Sequence, residues 1–98
     1  MSYSYILLAR AQDEYESSVT WYIERSLVTA DQFIEAIDQT LRLICDAPYR
    51  WRNEYRNYHE LGLKKYPYNI VYTVDEDNEL VIVTSIYHHS RNPKKKYK

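Results

Sequence analysis

The sequence predicts an α+β fold with an N-terminal strand, an antiparallel helical hairpin and a three-stranded antiparallel meander. Residues 11–46 hold two stretches whose apolar residues recur every three to four positions, the period of amphipathic helices. Residues 58–87 are rich in alternating or continuous apolar residues, as strands are. Because helices and strands are segregated along the chain, we expect both helices to cover one face of the sheet. The result is a single two-layer domain over residues 1–98.

The two helices are predicted near residues 10–26 and 30–46. Thr29 followed by Gln32 fits a capping box at the start of the second helix. Pro48 ends that helix because proline lacks the backbone N–H that a helix requires. A short loop joins the helices, so they should pack as an antiparallel hairpin.

The sheet is predicted to be antiparallel, with strands near residues 3–8, 58–65, 68–74 and 80–88. The last is the most apolar and is expected at the centre of the sheet. In the stretch from Tyr66 to Tyr72, alternate residues point to opposite faces. One face is predicted to carry Tyr68, Ile70 and Tyr72, and the other Asn69, Val71 and Thr73. The residues expected in the core are Ile37, Leu41, Ile70, Val81 and Val83.

The composition excludes several classes of protein. The single cysteine, Cys45, cannot form an internal disulfide or a multi-cysteine zinc site, and its helical apolar pattern indicates core packing. The single glycine, Gly62, cannot build a glycine-rich loop that binds nucleotide phosphates. No apolar run approaches the roughly 20 residues of a membrane span. We therefore expect a protein of the reducing cytoplasm, with no bound cofactor and no membrane partner.

Charge and tyrosine content point to a contact surface. Residues 1–49 carry a net charge of −5 and residues 50–98 a net charge of +4. A basic second half suits an anionic partner, although solvated lysines would give the same count. The 12 tyrosines in 98 residues fit either a partner surface or a tyrosine-rich core rim.

Residues 49–57 interleave basic and aromatic residues, a mixture that nucleic-acid surfaces use for phosphates and bases. An ordinary loop with two aromatic anchors would look the same. The candidate contact residues of the second half, for nucleic acid or another target, are Arg50, Arg52, Arg56, Lys64, Lys65, Tyr68 and Asn69.

His88 and His89 are the candidate catalytic bases. Adjacent residues of a strand point to opposite faces, so the pair is poorly placed to chelate one metal ion. Metal-free RNA cleavage needs a base, an acid and cations on the phosphate, and histidine titrates in the useful range. Arg91, Tyr97, Lys64 and Lys65 supply the residue types for the acid and the cations. The alternative is that His88 is a hydrogen-bonded residue at a strand end.

The whole chain resembles the RelE/ParE toxin superfamily of type II toxin–antitoxin systems. The first matching residues are Trp21-Tyr22 in the first helix, Ala30 and Phe33 opening the second, and Pro48 closing it. The later ones are Lys65-Tyr66-Pro67-Tyr68 with Ile70 and Tyr72, and His88 with Arg91-Asn92-Pro93. The resemblance implies a helical hairpin on a sheet, in agreement with the predicted fold.

The superfamily divides by target. The resemblance implies that RelE-like members cut mRNA in the ribosome and that ParE-like members poison DNA gyrase. RelE-like ribonucleases typically carry arginine where this chain has Asn69, and often another near His89. Both departures remove cations that stabilise a phosphate transition state, so the resemblance favours the ParE-like branch. The ribonuclease stays an alternative, with His88, His89, Arg91 and Tyr97 as its catalytic residues, as does a non-toxic binding domain.

The resemblance also implies a partner. In this superfamily the C-terminal segment of an antitoxin wraps the helical hairpin and sheet of the toxin. Exposed tyrosines and a basic concave face would suit an acidic, amphipathic segment that folds on binding.

Overall fold

A computed structural model of the protein describes residues 2–90, with the side chain of Glu54 excepted. The elements, in chain order, are β1 (Ser4–Leu7), α1 (Ala9–Ile23), α2 (Leu27–Asp46), β2 (Asn53–Tyr55), β3 (Tyr58–Gly62), β4 (Tyr68–Asp75) and β5 (Leu80–His88). The α+β class and the order of strand, helical hairpin and meander are confirmed. β2 was not predicted, because its three residues are too few to show alternation.

The sheet has the strand order β1-β5-β4-β3-β2. Adjacent strands from β2 to β5 pair antiparallel, whereas β1 pairs parallel with β5. The expectation of a purely antiparallel sheet is therefore wrong. A parallel pair needs a long crossover connection, and here the helical hairpin and the meander together provide it. β5 is an interior strand, as its apolar run indicated, but β4 occupies the middle position.

The start of α2 differs from the predicted capping box. The Ser26 hydroxyl accepts a hydrogen bond from the Thr29 backbone N–H at 3.2 Å, so Ser26 is the N-cap and α2 begins at Leu27. Thr29 lies inside the first turn of the helix. The capping prediction was wrong because α1 ends at Ile23, which leaves room for the earlier cap in a tight turn.

The core lies between α2 and the sheet. The five residues predicted to be buried are all at most 2 % exposed: Ile37, Leu41, Ile70, Val81 and Val83. Phe33 and Ile44 of α2 join them and are fully buried. The helix face of the sheet thus carries apolar residues over three of its strands, which is the two-layer packing that the periodicity predicted.

A β-bulge interrupts the alternation of β5. Val71 pairs with Ser85 and Tyr72 pairs with Val83, so Thr84 is an extra residue in β5. Because of this extra residue, Val83 and Ile86 both belong to the core although they lie three positions apart. The bulge therefore changes which of the last residues of β5 face the helices.

Glu14 of α1 supplies a hydrogen-bond acceptor at the open edge of β5. β1 pairs only with residues 80–83, so the backbone of β5 beyond Val83 has no strand on that side. There one carboxylate oxygen, Glu14 Oε1, accepts hydrogen bonds from the Ser85 hydroxyl at 2.8 Å and the Ile86 N–H at 3.0 Å. This contact satisfies a buried donor and fixes α1 against the sheet.

Within residues 2–90, neither helix combines the length and apolar character needed to cross a bilayer.

We expect Ile37→Ala to lower the free energy of unfolding by about 2–4 kcal/mol, because it leaves a cavity between α2 and the sheet. Urea denaturation followed by far-ultraviolet circular dichroism measures this loss. Leu43→Ala is the control, since Leu43 lies on the same helix but is 49 % exposed. A loss for Ile37→Ala no larger than that of the control would contradict the packing described.

Tyr72 should make the fold sensitive to alkali. Its side chain is fully buried and donates a hydrogen bond to the Pro48 carbonyl at 2.6 Å. Burial, with Cys45 nearby, raises the pKa of the Tyr72 phenol above its ordinary value of 10.0. Above that pH the unfolded chain ionises while the folded chain stays protonated, so stability is complete below pH 10 and falls as the pH rises. In urea denaturation, the free energy of unfolding of Tyr72→Phe should fall less than that of the wild type between about pH 9 and about pH 11.

Candidate functional site

A polar network lies on the face of the sheet opposite the helices. It joins Glu60 of β3, Asn69 of β4 and Tyr87 of β5, with His89 just after β5. The Asn69 amide nitrogen donates to Glu60 Oε2 at 2.5 Å and lies 3.2 Å from the Tyr87 hydroxyl. The Tyr87 hydroxyl also donates to Glu60 Oε2. His89 Nε2 lies 2.7 Å from Asn69 Oδ1. Strand pairing brings these residues together, because Asn69 is the register partner of Tyr87.

The network assigns the donor role to His89 Nε2. Asn69 uses its amide nitrogen toward the carboxylate, so its oxygen is the acceptor and His89 Nε2 donates. The resulting chain runs from an imidazole N–H through an amide to a carboxylate and orients the ring.

Gly62 is required beside this network. It pairs with Asn69 across β3 and β4, and a Cβ at this position would lie 2.8 Å from Asn69 Oδ1. That distance is too short for a carbon and an oxygen, so any larger residue would displace the Asn69 side chain. The only glycine of the chain therefore makes room for the amide that connects Glu60 to His89.

His88 belongs to the other face. Its ring meets Tyr68 edge-on at 5.1 Å between centroids, and its Nδ1 accepts from the Ser90 backbone N–H at 3.0 Å. The Ser90 hydroxyl lies 2.7 Å from the same nitrogen. The two histidines thus point to opposite sides of the sheet, as their adjacency in a strand predicted. Only His89 joins the network.

Glu60 and Tyr87 are functional candidates that the sequence analysis missed. Glu60 is 4 % exposed and Tyr87 is 7 % exposed, and a carboxylate is buried at this depth only when hydrogen bonds satisfy it. A signal was present in the sequence. Glu60 has the same strand phase as Gly62, and a charged residue on the same face as Asn69 in the neighbouring predicted strand indicates a hydrogen-bonded cluster.

The arginines predicted as contacts are exposed and spread along the β2–β3 hairpin. The Arg50 guanidinium lies 5.0 Å from the Trp51 ring centroid, and that of Arg56 lies 5.1 Å from the Tyr55 ring centroid. Arg56 sits in the turn between the strands with a φ of 52°. Arg52 contributes its backbone carbonyl, which accepts from the Glu60 N–H at 3.0 Å.

Lys64 and Lys65 follow β3 and are also exposed. The five residues of β3, at about 3.3 Å each, place them roughly 17 Å from Arg56. Lys64 and Lys65 therefore lie apart from Arg56. These two lysines border a groove beside α2.

Tyr68 does not have the predicted contact role. It is 4 % exposed, and its ring lies 5.0 Å from that of Phe33. The side chain is core because it shares the helix face of β4 with Ile70, so it stabilises the fold and is removed from the contact set. Arg91 and Tyr97, the other predicted catalytic residues, lie outside the described residues.

The fold is shared with solved proteins of toxin–antitoxin systems. The chromosomal ParDE toxin–antitoxin system from P. aeruginosa is 12% identical, with a TM-score of 0.74 over 89% of this chain and 96% of that chain. The isolated E. coli RelE toxin is 17% identical, with a TM-score of 0.63 over 95% of this chain and 90% of that chain. The E. coli RelBE toxin–antitoxin complex is also 17% identical, with a TM-score of 0.63 over 92% of this chain and 100% of that chain. At these identities the likeness shows a common fold.

The family follows from the sequence profile. The profile described as "ParE toxin of type II toxin-antitoxin system, parDE" matches residues 5–93. Because the match spans most of the chain, the protein belongs to this family and is the toxin of a type II toxin–antitoxin system. The predicted place in the RelE/ParE superfamily is thus confirmed. A comparison with curated proteins gives no match.

We expect Glu60→Ala to lower the free energy of unfolding by about 1–3 kcal/mol, because the Tyr87 hydroxyl and the Asn69 amide lose their acceptor. Tyr87→Phe in the same background should cost less than it does alone, giving a coupling energy of about 0.5 kcal/mol or more in a double-mutant cycle. Glu76→Ala, an exposed glutamate in the β4–β5 turn, should change stability by less than about 0.5 kcal/mol. Additive effects of the Glu60 and Tyr87 changes would show that these two side chains have no coupling energy, which would contradict the network.

Proposed function

We propose that this toxin inhibits DNA gyrase through a protein contact, is neutralised by a cognate antitoxin and acts in the cytoplasm. The observation that carries the proposal is the bonding of Asn69. At the position where the resemblance places a ribonuclease arginine, a neutral amide is held by Glu60 and by His89. A phosphate transition state is stabilised by fixed cations, and Asn69 supplies none.

The second position supports the same conclusion. Where RelE-like ribonucleases often carry another arginine, His89 directs Nε2 into the Asn69 amide. Glu60 lies at the far end of that chain, and the burial of its carboxylate makes the centre of this face unfavourable for RNA phosphates. A protein contact needs no fixed phosphate cations, so these features are compatible with gyrase binding. No cofactor is part of the proposal.

One observation favours the ribonuclease alternative. The chain of hydrogen bonds from Glu60 through Asn69 orients His89, which is how proteins prepare a general base. In that alternative His89 is the base, and His88, bound to Ser90 on the other face, has no direct part. Arg91 and Tyr97 would supply the cation and the acid. The ribosome and mRNA then replace gyrase as targets.

Two assays separate the targets: supercoiling by purified gyrase with trapping of broken DNA, and cleavage of mRNA on programmed ribosomes. The wild-type toxin should inhibit gyrase and leave mRNA intact. His89→Ala should weaken gyrase inhibition by about tenfold or less, because a protein contact distributes its energy over several residues. Glu16→Ala, on the exposed side of α1, is the control and should behave as the wild type.

The alternative outcomes are distinct. Cleavage of mRNA that falls by about a hundredfold or more in His89→Ala would establish the ribonuclease function and overturn gyrase inhibition. Loss of mRNA cleavage confined to His88→Ala would contradict the assignment of His89 as the base. Inactivity in both assays, with no toxicity on expression, would define a binding domain without either activity.

A further inference from the structure

β1 is an edge strand whose outer side is open. It lies at the end of the sheet, and β5 is the strand of residues 2–90 that pairs with it. The backbone N–H groups of Ser4 and Leu8 donate to carbonyls on the β5 side at 3.1 Å and 2.9 Å. Because successive residues of a strand direct their backbone groups to opposite sides, the N–H and C=O groups of Tyr5 and Leu7 point away from the sheet.

β1 lacks the features that protect the edges of natural sheets, which are chiefly charged residues and proline. Neither occurs in Ser4–Leu7. Tyr5 and Leu8 are each 43 % exposed, and Ile6 is 44 % exposed. α2 covers only the beginning of the edge, where its last turn accepts the Tyr3 N–H at 2.9 Å. The rest of the edge is a template on which a further strand can pair.

The side of this edge that faces α2 is acidic. Two adjoining grooves, of about 380 Å³ and about 490 Å³, lie between β1 and α2 and share Tyr5 and Leu41. The charged residues that line them are Asp31, Glu35, Asp38, Asp46 and Arg42. Arg42 pairs with Asp38 at 3.0 Å, whereas the ion pairs among residues 2–90 do not include Asp31. The grooves therefore carry a net negative charge, which attracts a basic chain.

The two faces of β1 favour different side chains in an added strand. Tyr5 and Leu7 line the acidic grooves, so Ile6 and Leu8 lie on the opposite face. The residues of an added strand alternate in the same way. Those on one face meet the carboxylates of α2, and those on the other face meet Ile6 and Leu8. The segment that fits this edge therefore has basic and apolar residues in alternation.

We propose that β1 binds an extended segment of the target protein in which basic and apolar residues alternate. The segment extends the five-stranded sheet by one strand, and its backbone pairs with the outward N–H and C=O groups of Tyr5 and Leu7. Its basic side chains pair with Asp31 and the neighbouring carboxylates. The inference rests on the proposed inhibition of gyrase through a protein contact, so the segment belongs to gyrase.

Other occupants fit this edge less well. If the β1 strands of two copies paired with each other, the acidic grooves of both molecules would come together and repel. The phosphates of RNA and the carboxylates of an acidic protein segment would meet the same repulsion.

Amide hydrogen exchange tests the pairing directly. The probe is an eight-residue peptide of alternating valine and lysine, added to ¹⁵N-labelled toxin. The Tyr5 and Leu7 amides should exchange freely in the toxin alone and be slowed by about tenfold or more at saturating peptide. The amides of Ser4 and Leu8 already donate to the β5 side, so they are internal references and should not change. A peptide with glutamate in place of lysine should bind about tenfold more weakly or worse.

Inhibition of purified gyrase tests the partner. Ile6→Lys with Asp31→Lys puts a lysine on each face of the edge and should weaken inhibition by about tenfold or more. The matched control is Ile23→Lys with Asp13→Lys, which makes the same substitutions at exposed positions of α1. Both double variants change the net charge equally, and the control should lose about threefold or less. Thermal unfolding confirms that each variant is folded.

Each result has a separate meaning. A wild-type toxin that does not inhibit gyrase would overturn the proposed function and gyrase as the source of the segment, while the exchange experiment would still decide what β1 binds. Equal inhibition by the edge variant and its control, or unchanged exchange of Tyr5 and Leu7 at saturating peptide, would overturn the edge assignment alone. Slow exchange of both amides in the toxin without peptide, reversed by dilution, would replace the target segment by a second copy. Tighter binding of the glutamate peptide would replace the basic segment by an acidic one.

Discussion

The burial of the apolar stripe of α2 against the sheet is the interaction on which the rest of the structure depends. Phe33, Ile37 and Ile44 are at most 2 % exposed and form one core with the helix face of β4 and β5. Phe33 also contacts Tyr68, and alternate residues of a strand point to opposite faces. Holding Tyr68 against the helices therefore forces Asn69 to the other face, where its amide meets Glu60.

The same constraint decides which histidine joins the polar network, but it acts through the bulge of β5. With Thr84 as an extra residue, Val83 and Ile86 both face the helices, and His88 continues that face. A regular strand would have placed His89 against the helices instead. One inserted residue thus determines the side of the sheet on which a titratable group lies. The Glu14 carboxylate supports that arrangement by accepting the Ile86 N–H.

The sequence shows that its two halves differ in charge, but only the folded chain shows where those charges lie. Most of the acidic residues of the first half lie on the two helices. Asp31 and Asp38 line a groove between α2 and β1, Lys64 and Lys65 line a groove on the β3 side of α2, and Glu35 lines both. A basic concave face was expected from the charge of the second half, and Lys64 and Lys65 border a groove beside α2.

Local patterns determined the fold class, the helical hairpin and the five named core residues, because periodicity is a property of neighbouring residues. The family was identified by resemblance. The Ser26 cap, the short β2 and the parallel pairing of β1 were not determined, since each depends on chain reversals that sequence spacing does not fix. The site was predicted only in part. His89 was identified as a titratable residue and Asn69 by resemblance, whereas Glu60 and Tyr87 became neighbours through strand register, and the β5 bulge set that register. Tertiary structure alone decided those contacts because they join strands far apart in the chain, and a one-residue shift would exchange the two faces.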